Sequence, residues 1–225
     1  MPMKGGSPEL REIDRWDGGV GWLAYPDEGM QRASHALVDG DDVWVFDPVD
    51  APGVDDLLAE FGDVAGVAVC LDRHKRDAAA IARRHDVAVH VPERMTGVAT
   101  KLDAPVERFG ATLADTPFET FAVKDTSLPP WHEVALYDRA GRTLYVPEAL
   151  GTASYFLARG ERLGVHPMLR LLPPKRAFEG LVPERVLVGH GEGILSDGDA
   201  ALREALDGAR SGAPSAYASA LSELF

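Results

Sequence analysis

The histidines and carboxylates of this sequence that could do chemistry stand directly after apolar runs. Asp47 follows one run, the stretch Asp72-Arg73-His74-Lys75-Arg76-Asp77 follows a second, and His190 stands between two glycines after a third. Imidazoles and carboxylates bind divalent metals and transfer protons. A nucleophile triad is disfavoured, because no Gly-x-Ser-x-Gly turn occurs and the single cysteine, Cys70, lies inside an apolar run.

Hydrophobic patterning predicts the elements that must position these side chains. Strands are expected over eight apolar runs: 34–38, 43–46, 67–71, 87–91, 118–123, 134–137, 143–146 and 186–188. The turn sequences at 39–41 and 138–141 each join two of these strands into a hairpin. Helices are predicted over 54–61, 76–85, 199–208 and 214–225, with short helices and loops over 151–174.

The order of these elements predicts an α/β fold. The helix over 76–85 separates two strands, which makes a βαβ unit with parallel neighbouring strands. Two mixed sheets packed face to face, with helices outside, satisfy the whole order. We predict a flexible N-terminal segment over 1–15 and a single domain over 16–225.

Four stretches, in the same order along the chain, resemble the metallo-β-lactamase superfamily. Val43-Trp44-Val45-Phe46-Asp47-Pro48 is similar to its hairpin ending in aspartate, and residues 72–77 occupy the place of its His-x-His-x-Asp-His motif. Pro147-Glu148-Ala149-Leu150 is similar to its Gly-Asp-Ala-Leu, and Val188-Gly189-His190-Gly191 resembles its closing Gly-His-Gly. The resemblance implies a four-layer αββα sandwich and a metal-dependent hydrolase.

The histidine motif departs from the family pattern. Asp72 stands in place of the first histidine, His74 is kept, Arg76 replaces the aspartate and Asp77 replaces the last histidine. The resemblance implies that these four residues lie at the catalytic site.

The other motifs complete the ligand set that the resemblance implies. Glu148 stands in place of the bridging aspartate, and His190 matches the last histidine. The family's third-motif histidine has no clear match, since residues 129–131 occupy that area and His132 lies slightly out of register. The implied metal ligands are Asp72, His74, Asp77, Glu148 and His190. Asp72, His74 and His190 would suffice for Zn²⁺, whereas oxygens from Asp77 and Glu148 would favour Mn²⁺ or Mg²⁺.

Arg76 limits the number of metals that the site can hold. Its guanidinium stays charged at physiological pH, and a second cation beside it is electrostatically costly. We therefore expect at most one divalent metal, Zn²⁺ or Mn²⁺, or none. We predict that Arg76 pairs with Asp77, Glu148 or both in place of a second metal.

The remaining candidates have supporting roles in this interpretation. Asp47 is expected to orient the motif loop by hydrogen bonds, within about 10 Å of the same centre as the ligands. Four other histidines match no motif and are interpreted as surface or structural residues: His35, His85, His90 and His166.

The charge balance bears on partners and on the cell environment. The net charge is −13, with 36 acidic and 23 basic residues, and the acidic residues lean towards aspartate. Such a surface is typical of halophilic proteins, which work in concentrated salt, and it argues against nucleic acid as a partner. Neither a membrane-spanning run nor a secretory signal is found, so we expect a cytoplasmic protein that acts on a small molecule.

Three hypotheses of function stay open on the sequence alone. The first is a divergent metal-dependent hydrolase with at most one metal. The second is a catalytically inactive binding or regulatory protein of the same fold. The third is a metal-free protein that binds a small anion at Arg76.

Overall fold

Two mixed β-sheets organise the chain, whose computed structural model describes residues 6–222, with side chains as far as residue 220. The strands in this part of the chain are β1 (Arg11–Trp16), β2 (Gly19–Leu23), β3 (Ala33–Asp39), β4 (Asp42–Phe46), β5 (Asp63–Ala68), β6 (Val89–Pro92), β7 (Val106–Phe109), β8 (Phe118–Ser127), β9 (Pro130–Asp138), β10 (Thr143–Val146), β11 (Leu150–Gly151), β12 (Gly164–Val165) and β13 (Arg185–Val188). The α-helices are α1 (Val54–Ala59), α2 (Ala78–Arg84), α3 (Thr96–Ala99) and α4 (Gly198–Ser222).

The first sheet contains β1 to β7 in sequence order. β1 to β4 are antiparallel, and β4 to β7 are parallel. The predicted hairpin around Gly40 is confirmed, because β3 pairs with β4 as far as Asp39 and Asp42. The predicted βαβ unit is also confirmed, since β5 and β6 are parallel neighbours and α2 lies between them in the chain.

The second sheet has the strand order β13-β10-β9-β8. The predicted hairpin of β9 and β10 is confirmed, with Tyr137 opposite Leu144. β13 returns parallel to β10, in register from Thr143 to Val146. A separate two-stranded sheet joins β11 and β12.

Most of the buried apolar residues in the described part of the chain form three layers of core. The cluster that contains Phe46, Cys70, Phe118 and Tyr145 lies between the sheets, because its members come from both. A second cluster joins the first sheet to α1 and α2, and a third joins the second sheet to α4. Helices therefore cover both outer faces, and the predicted αββα sandwich is confirmed.

Several boundaries differ from the sequence prediction. Residues 11–15 form most of β1 rather than a flexible segment, because β1 pairs with β2; residues 1–5 lie outside the described residues. The two predicted C-terminal helices are one helix, α4, which continues through Pro214. Among the helices of residues 6–222, none has both the length and the apolar character needed to cross a membrane.

Candidate metal centre

The strands of both sheets end beside one another, and the candidate residues follow those ends. Asp47 comes directly after β4, and His74 lies between β5 and α2. Glu148 follows β10, and His190 follows β13. β4 and β5 are parallel neighbours, as are β10 and β13, so the carboxyl ends of the strands carry these side chains to one place.

Glu148 lies between the two histidines. Its Oε2 atom is 3.0 Å from His74 Nε2 and 3.1 Å from His190 Nε2. The three ligand atoms lie within 4.8 Å of one another, and all three residues are buried. His74, Glu148 and His190 form what we call the His-Glu-His cluster.

The far nitrogen of each histidine faces an oxygen that accepts hydrogen bonds. His190 Nδ1 is 2.8 Å from the Met30 carbonyl oxygen, and His74 Nδ1 is 3.3 Å from Asp47 Oδ2. Both Nδ1 atoms therefore carry the proton, and in the neutral imidazoles both Nε2 atoms present a lone pair. Two lone pairs and a carboxylate oxygen then meet. The Arg76 guanidinium, 3.3 Å from His74 Nε2, is one positive charge beside them, and a proton or a metal ion among the three atoms would stabilise the arrangement further.

The chemistry of the donor set fits a divalent metal ion. Two imidazole nitrogens and one carboxylate oxygen form a His₂Glu set, which can hold Zn²⁺ and leave a fourth position open. A tetrahedral ion with bonds of about 2.0–2.1 Å holds its ligand atoms about 3.3 Å apart. The separations of 3.0 and 3.1 Å from Glu148 Oε2 are close to that requirement, and the two Nε2 atoms lie within 4.8 Å of each other. Each imidazole is also oriented by a hydrogen bond from its Nδ1, as metal-binding histidines usually are.

The protonation states of the cluster suit the same role. Burial raises the pKa of Glu148, but His190 and His74, whenever a second proton on Nε2 makes them cationic donors, outweigh burial and hold the pKa of that carboxyl well below its ordinary value. Burial lowers the pKa of His190, against the opposing effect of Glu148. A neutral imidazole beside an ionised carboxylate is the state that binds metal.

The fold was compared with those of known proteins. No protein-family model matches the sequence, and no curated protein matches it either. Among solved structures, the DIM-1 metallo-β-lactamase exposed to ceftazidime matches with a TM-score of 0.59, covering 94% of this chain and 100% of its own, at 13% identity. This chain has the metallo-β-lactamase fold.

Two further solved structures match over almost as much of this chain. TMB-1 matches with a TM-score of 0.59 at 14% identity, covering 93% of this chain and 99% of its own. Rubredoxin oxygen:oxidoreductase from Desulfovibrio gigas matches with a TM-score of 0.61 at 12% identity, covering 91% of this chain but 62% of its own. The resemblance drawn from the four sequence stretches is thus confirmed at the level of the fold.

Asp47 makes the bonds that an orienting role in this metallo-β-lactamase-fold site requires. It is fully buried, and its φ of 45° places it in the left-handed region. Its Oδ1 accepts from the Cys70 N–H at 2.9 Å, and its Oδ2 accepts from the Tyr145 hydroxyl at 2.7 Å and faces His74. The carboxylate therefore connects the ends of β4, β5 and β10.

Arg76 lies beside the cluster, but the predicted pairing with Asp77 or Glu148 is wrong. Its Nη1 donates to the carbonyl oxygens of Ala33 at 2.6 Å and Asp47 at 2.7 Å, and its Nη2 donates to that of Gly189 at 3.0 Å. The same Nη2 is 3.3 Å from His74 Nε2. Strand-end carbonyls lie within reach of the guanidinium, so they take the hydrogen bonds that the carboxylates were expected to accept.

Asp72 and Asp77, predicted as metal ligands, do not join the His-Glu-His cluster. Asp72 Oδ2 accepts from the His132 N–H at 3.3 Å, and Asp77 Oδ2 accepts from the Asp50 N–H at 3.0 Å. The φ of Arg76 is 40°, so the main chain turns at this residue. A regular strand or helix has no such turn, and the sequence pattern did not predict it. The loop consequently directs Asp72, His74 and Asp77 to different neighbours.

The histidines outside the motifs divide into two groups. Three have the structural contacts that were expected: His35 with Asp14, His85 with Asp55, and His90 against the Trp44 ring. His132 is hydrogen-bonded to Asp125 rather than to the cluster.

His166 is a residue of the site that sequence reasoning missed. It is buried, its Nδ1 accepts from the Met168 N–H at 3.2 Å, and its Nε2 lies 3.6 Å from Glu148 Oε1. Burial lowers the pKa of His166 to about 4, so the ring is neutral and its Nε2 carries the proton towards Glu148. The surrounding sequence has no periodic pattern that would have indicated this position.

Glu133 was missed although a signal was present. It is 1% exposed, and its carboxylate accepts from the N–H groups of Glu148 and Ala149, each at 2.8 Å. Burial raises the pKa of Glu133 to about 7, against the donors that favour its charged form. Alternation along β9 places Glu133 on the buried face with Trp131 and Ala135, and a carboxylate in such a position indicates a dedicated partner.

Proposed function

We propose that this chain is a single-metal hydrolase built on the metallo-β-lactamase fold. The observation that carries the proposal is the meeting of His74 Nε2, Glu148 Oε2 and His190 Nε2, with both Nδ1 protons committed to oxygen acceptors. Zn²⁺ suits this set better than Mn²⁺, because two of its three ligand atoms are nitrogens and Asp72 and Asp77 bond elsewhere.

The chain's own residues would hold and orient the ion. A bound divalent ion supplies Lewis acidity and lowers the pKa of a water molecule that it binds to about 7. Asp47 and the Met30 carbonyl keep the protons on the Nδ1 atoms, so the Nε2 lone pairs stay turned inward. The Phe156 ring, stacked 5.3 Å from the His190 ring, shields that side of the site from water.

The geometry supports one metal rather than two. Arg76 places a fixed positive charge 3.3 Å from His74 Nε2. The three ligand atoms of the cluster would offset that repulsion for one ion, whereas a second ion beside the guanidinium would have none of them. The third hypothesis, an anion bound at Arg76, has little support, because three carbonyl oxygens already accept from its Nη atoms.

A catalytically inactive binding protein is the second candidate. The observation that favours it is the closure of the cluster, since His74, Glu148 and His190 are only 5%, 7% and 4% exposed. A bound ion would then serve to hold the two sheets together. Metal binding alone does not separate the two candidates, whereas turnover does.

The first prediction concerns metal content after purification in the presence of ZnCl₂ and exhaustive dialysis. Wild type is expected to retain about one equivalent of Zn²⁺, and Glu148→Gln and His190→Asn less than about a tenth of that, since each removes one of three ligands. His132→Asn is the matched control, because His132 bonds to Asp125 outside the cluster. Elemental analysis that finds no metal, or two equivalents, in wild type would contradict the proposal.

Turnover is then tested with the loaded protein on four substrate classes: β-lactams, thioesters, lactones and phosphodiesters. The β-lactam arm includes ceftazidime, the compound to which DIM-1 was exposed. Hydrolysis of one class by wild type and His132→Asn, but not by His190→Asn, supports the hydrolase. One equivalent of metal with no hydrolysis in any class supports the inactive binding protein.

A further inference from the structure

A buried carboxylate holds the main chain on which Glu148 stands. Glu133 Oε1 accepts from the N–H groups of Glu148 and Ala149, and its Oε2 accepts from Trp131 Nε1 at 2.7 Å. The cost of burying a charge is large unless it is fully hydrogen-bonded, and here three donors satisfy the two oxygens. Glu133 therefore fixes the short link between β10 and β11.

Trp131 supports the side chain of Glu148 from another direction. Its ring, buried to 3% exposure, lies under the Arg73 guanidinium, which is 4.4 Å from the ring centroid. Arg73 Nη2 is 3.4 Å from Glu148 Oε1. The Trp131 ring also makes an edge contact with His166, whose Nε2 faces the same oxygen.

These contacts hold both the main chain and the side chain of Glu148. Glu133 holds the backbone of Glu148, and Trp131, bound to Glu133, supports the two groups that face Glu148 Oε1. The other oxygen, Oε2, is then left facing His74 and His190. A free glutamate side chain loses conformational entropy when it is fixed, and this arrangement fixes Glu148 before any metal ion binds.

We propose that Glu133 and Trp131 are a positioning pair that presents Glu148 to the metal through Oε2 alone. This inference rests on the proposed function, since it requires an ion at the His-Glu-His cluster. Neither residue contacts the ligand atoms of the histidines, so their effect on the metal would pass through Glu148.

Trp131→Phe tests the pair with little change in packing. The substitution keeps a ring beneath Arg73 but removes the N–H that holds Glu133 Oε2. Zn²⁺ affinity, measured by competition with a chelator, is expected to fall about tenfold, the lower end of the effect of losing a supporting group. Trp44→Phe is the matched control, because Trp44 is a buried tryptophan packed on His90 away from the cluster. The Zn²⁺ affinity of this variant should match that of wild type.

Glu133→Gln separates positioning from general stability. An amide oxygen can still accept from Glu148 and Ala149, but the amide NH₂ then meets the Trp131 N–H, donor against donor. Adding Trp131→Phe removes that conflict, so the double variant should lose less affinity than the two single losses multiplied together. The visible spectrum of the Co²⁺-substituted proteins, which reports ligand geometry, should differ from wild type in the single variants.

The outcomes distinguish the two proposals. Wild type that binds no Zn²⁺ overturns the proposed function and this inference with it. Wild type that binds Zn²⁺, with unchanged affinity and Co²⁺ spectrum in Trp131→Phe and Glu133→Gln, overturns the positioning pair alone. A fall in thermal stability of the metal-free variants without any change in affinity also overturns it, because a merely structural role predicts that result.

Discussion

At the scale of single residues, Arg76 is a positive charge held in place at the ends of several strands. Its guanidinium donates to carbonyl oxygens at the start of β3, directly after β4 and directly after β13. Burial lowers the pKa of Arg76, yet a guanidinium remains charged at any physiological pH. One side chain thus joins the two sheets at the place where the candidate ligands meet.

Replacement of Arg76 is expected to reduce stability strongly. Arg76→Met removes one donor from each of the carbonyls of Ala33, Asp47 and Gly189, of which Gly189 keeps the Ala33 N–H. It also removes a buried charge that joins both sheets, and should lower the free energy of unfolding by about 3 kcal/mol. Arg83→Met is the control, since Arg83 pairs with Asp103 at the surface and should cost less than about 1 kcal/mol. Urea denaturation of both variants measures the difference, and equal losses would contradict a special role for Arg76.

Some residues of the candidate site could be predicted from the sequence and others could not. The meeting of His74, Glu148 and His190 was predictable because each follows a strand, and the ends of parallel strands meet. Asp72 and Asp77 were mispredicted because nearness in the chain does not fix direction in a loop that turns at Arg76 with positive φ. The position of His166 could not be predicted, since it contacts Glu148 from a segment without a regular sequence pattern.

At the scale of elements, regular patterns were predictable and tertiary support was not. Alternating apolar residues and turn sequences predicted both hairpins and the βαβ unit. The segment 151–175 has no such pattern; it folds into short turns and the two-stranded sheet of β11 and β12. It nevertheless supplies Phe156 and His166, which contact His190 and Glu148.

Arg170 anchors this segment, and its loss is expected to loosen it. Arg170 is fully buried, pairs with Glu161 at 2.5 and 3.0 Å, and donates to the Phe156 carbonyl at 2.7 Å. It also reaches the Ala209 carbonyl in α4 at 3.4 Å.

Arg170→Met leaves the Glu161 carboxylate without its cationic partner, with the Ala158 N–H as a remaining donor, and should lower the free energy of unfolding by about 3–5 kcal/mol. Arg162→Met, which breaks an exposed pair with Glu204, should cost less than about 1 kcal/mol. Urea unfolding compares the two variants. A small loss for Arg170→Met would show that the segment is held by other contacts.

At the scale of the whole molecule, acidic charge opposes the packing of the sandwich. The net charge of −13 repels itself, and part of that repulsion is concentrated at one end of the first sheet. There Asp42 lies opposite Asp39 across the hairpin and opposite Asp63 on the parallel strand. Like charges directly opposite one another weaken a sheet.

Salt is therefore expected to stabilise the protein, as the halophilic interpretation requires. The screening length shortens from about 30 Å at 0.01 M to about 3 Å at 1 M salt, so repulsion between surface carboxylates is largely removed in molar KCl. The melting temperature of wild type should rise steadily over that range. A triple variant with Asp39→Asn, Asp42→Asn and Asp63→Asn should melt at a higher temperature in low salt and gain less from KCl, because its repulsion is already reduced. Calorimetry in a KCl series measures both slopes, and a melting temperature of wild type that stays flat across the series would remove the halophilic interpretation.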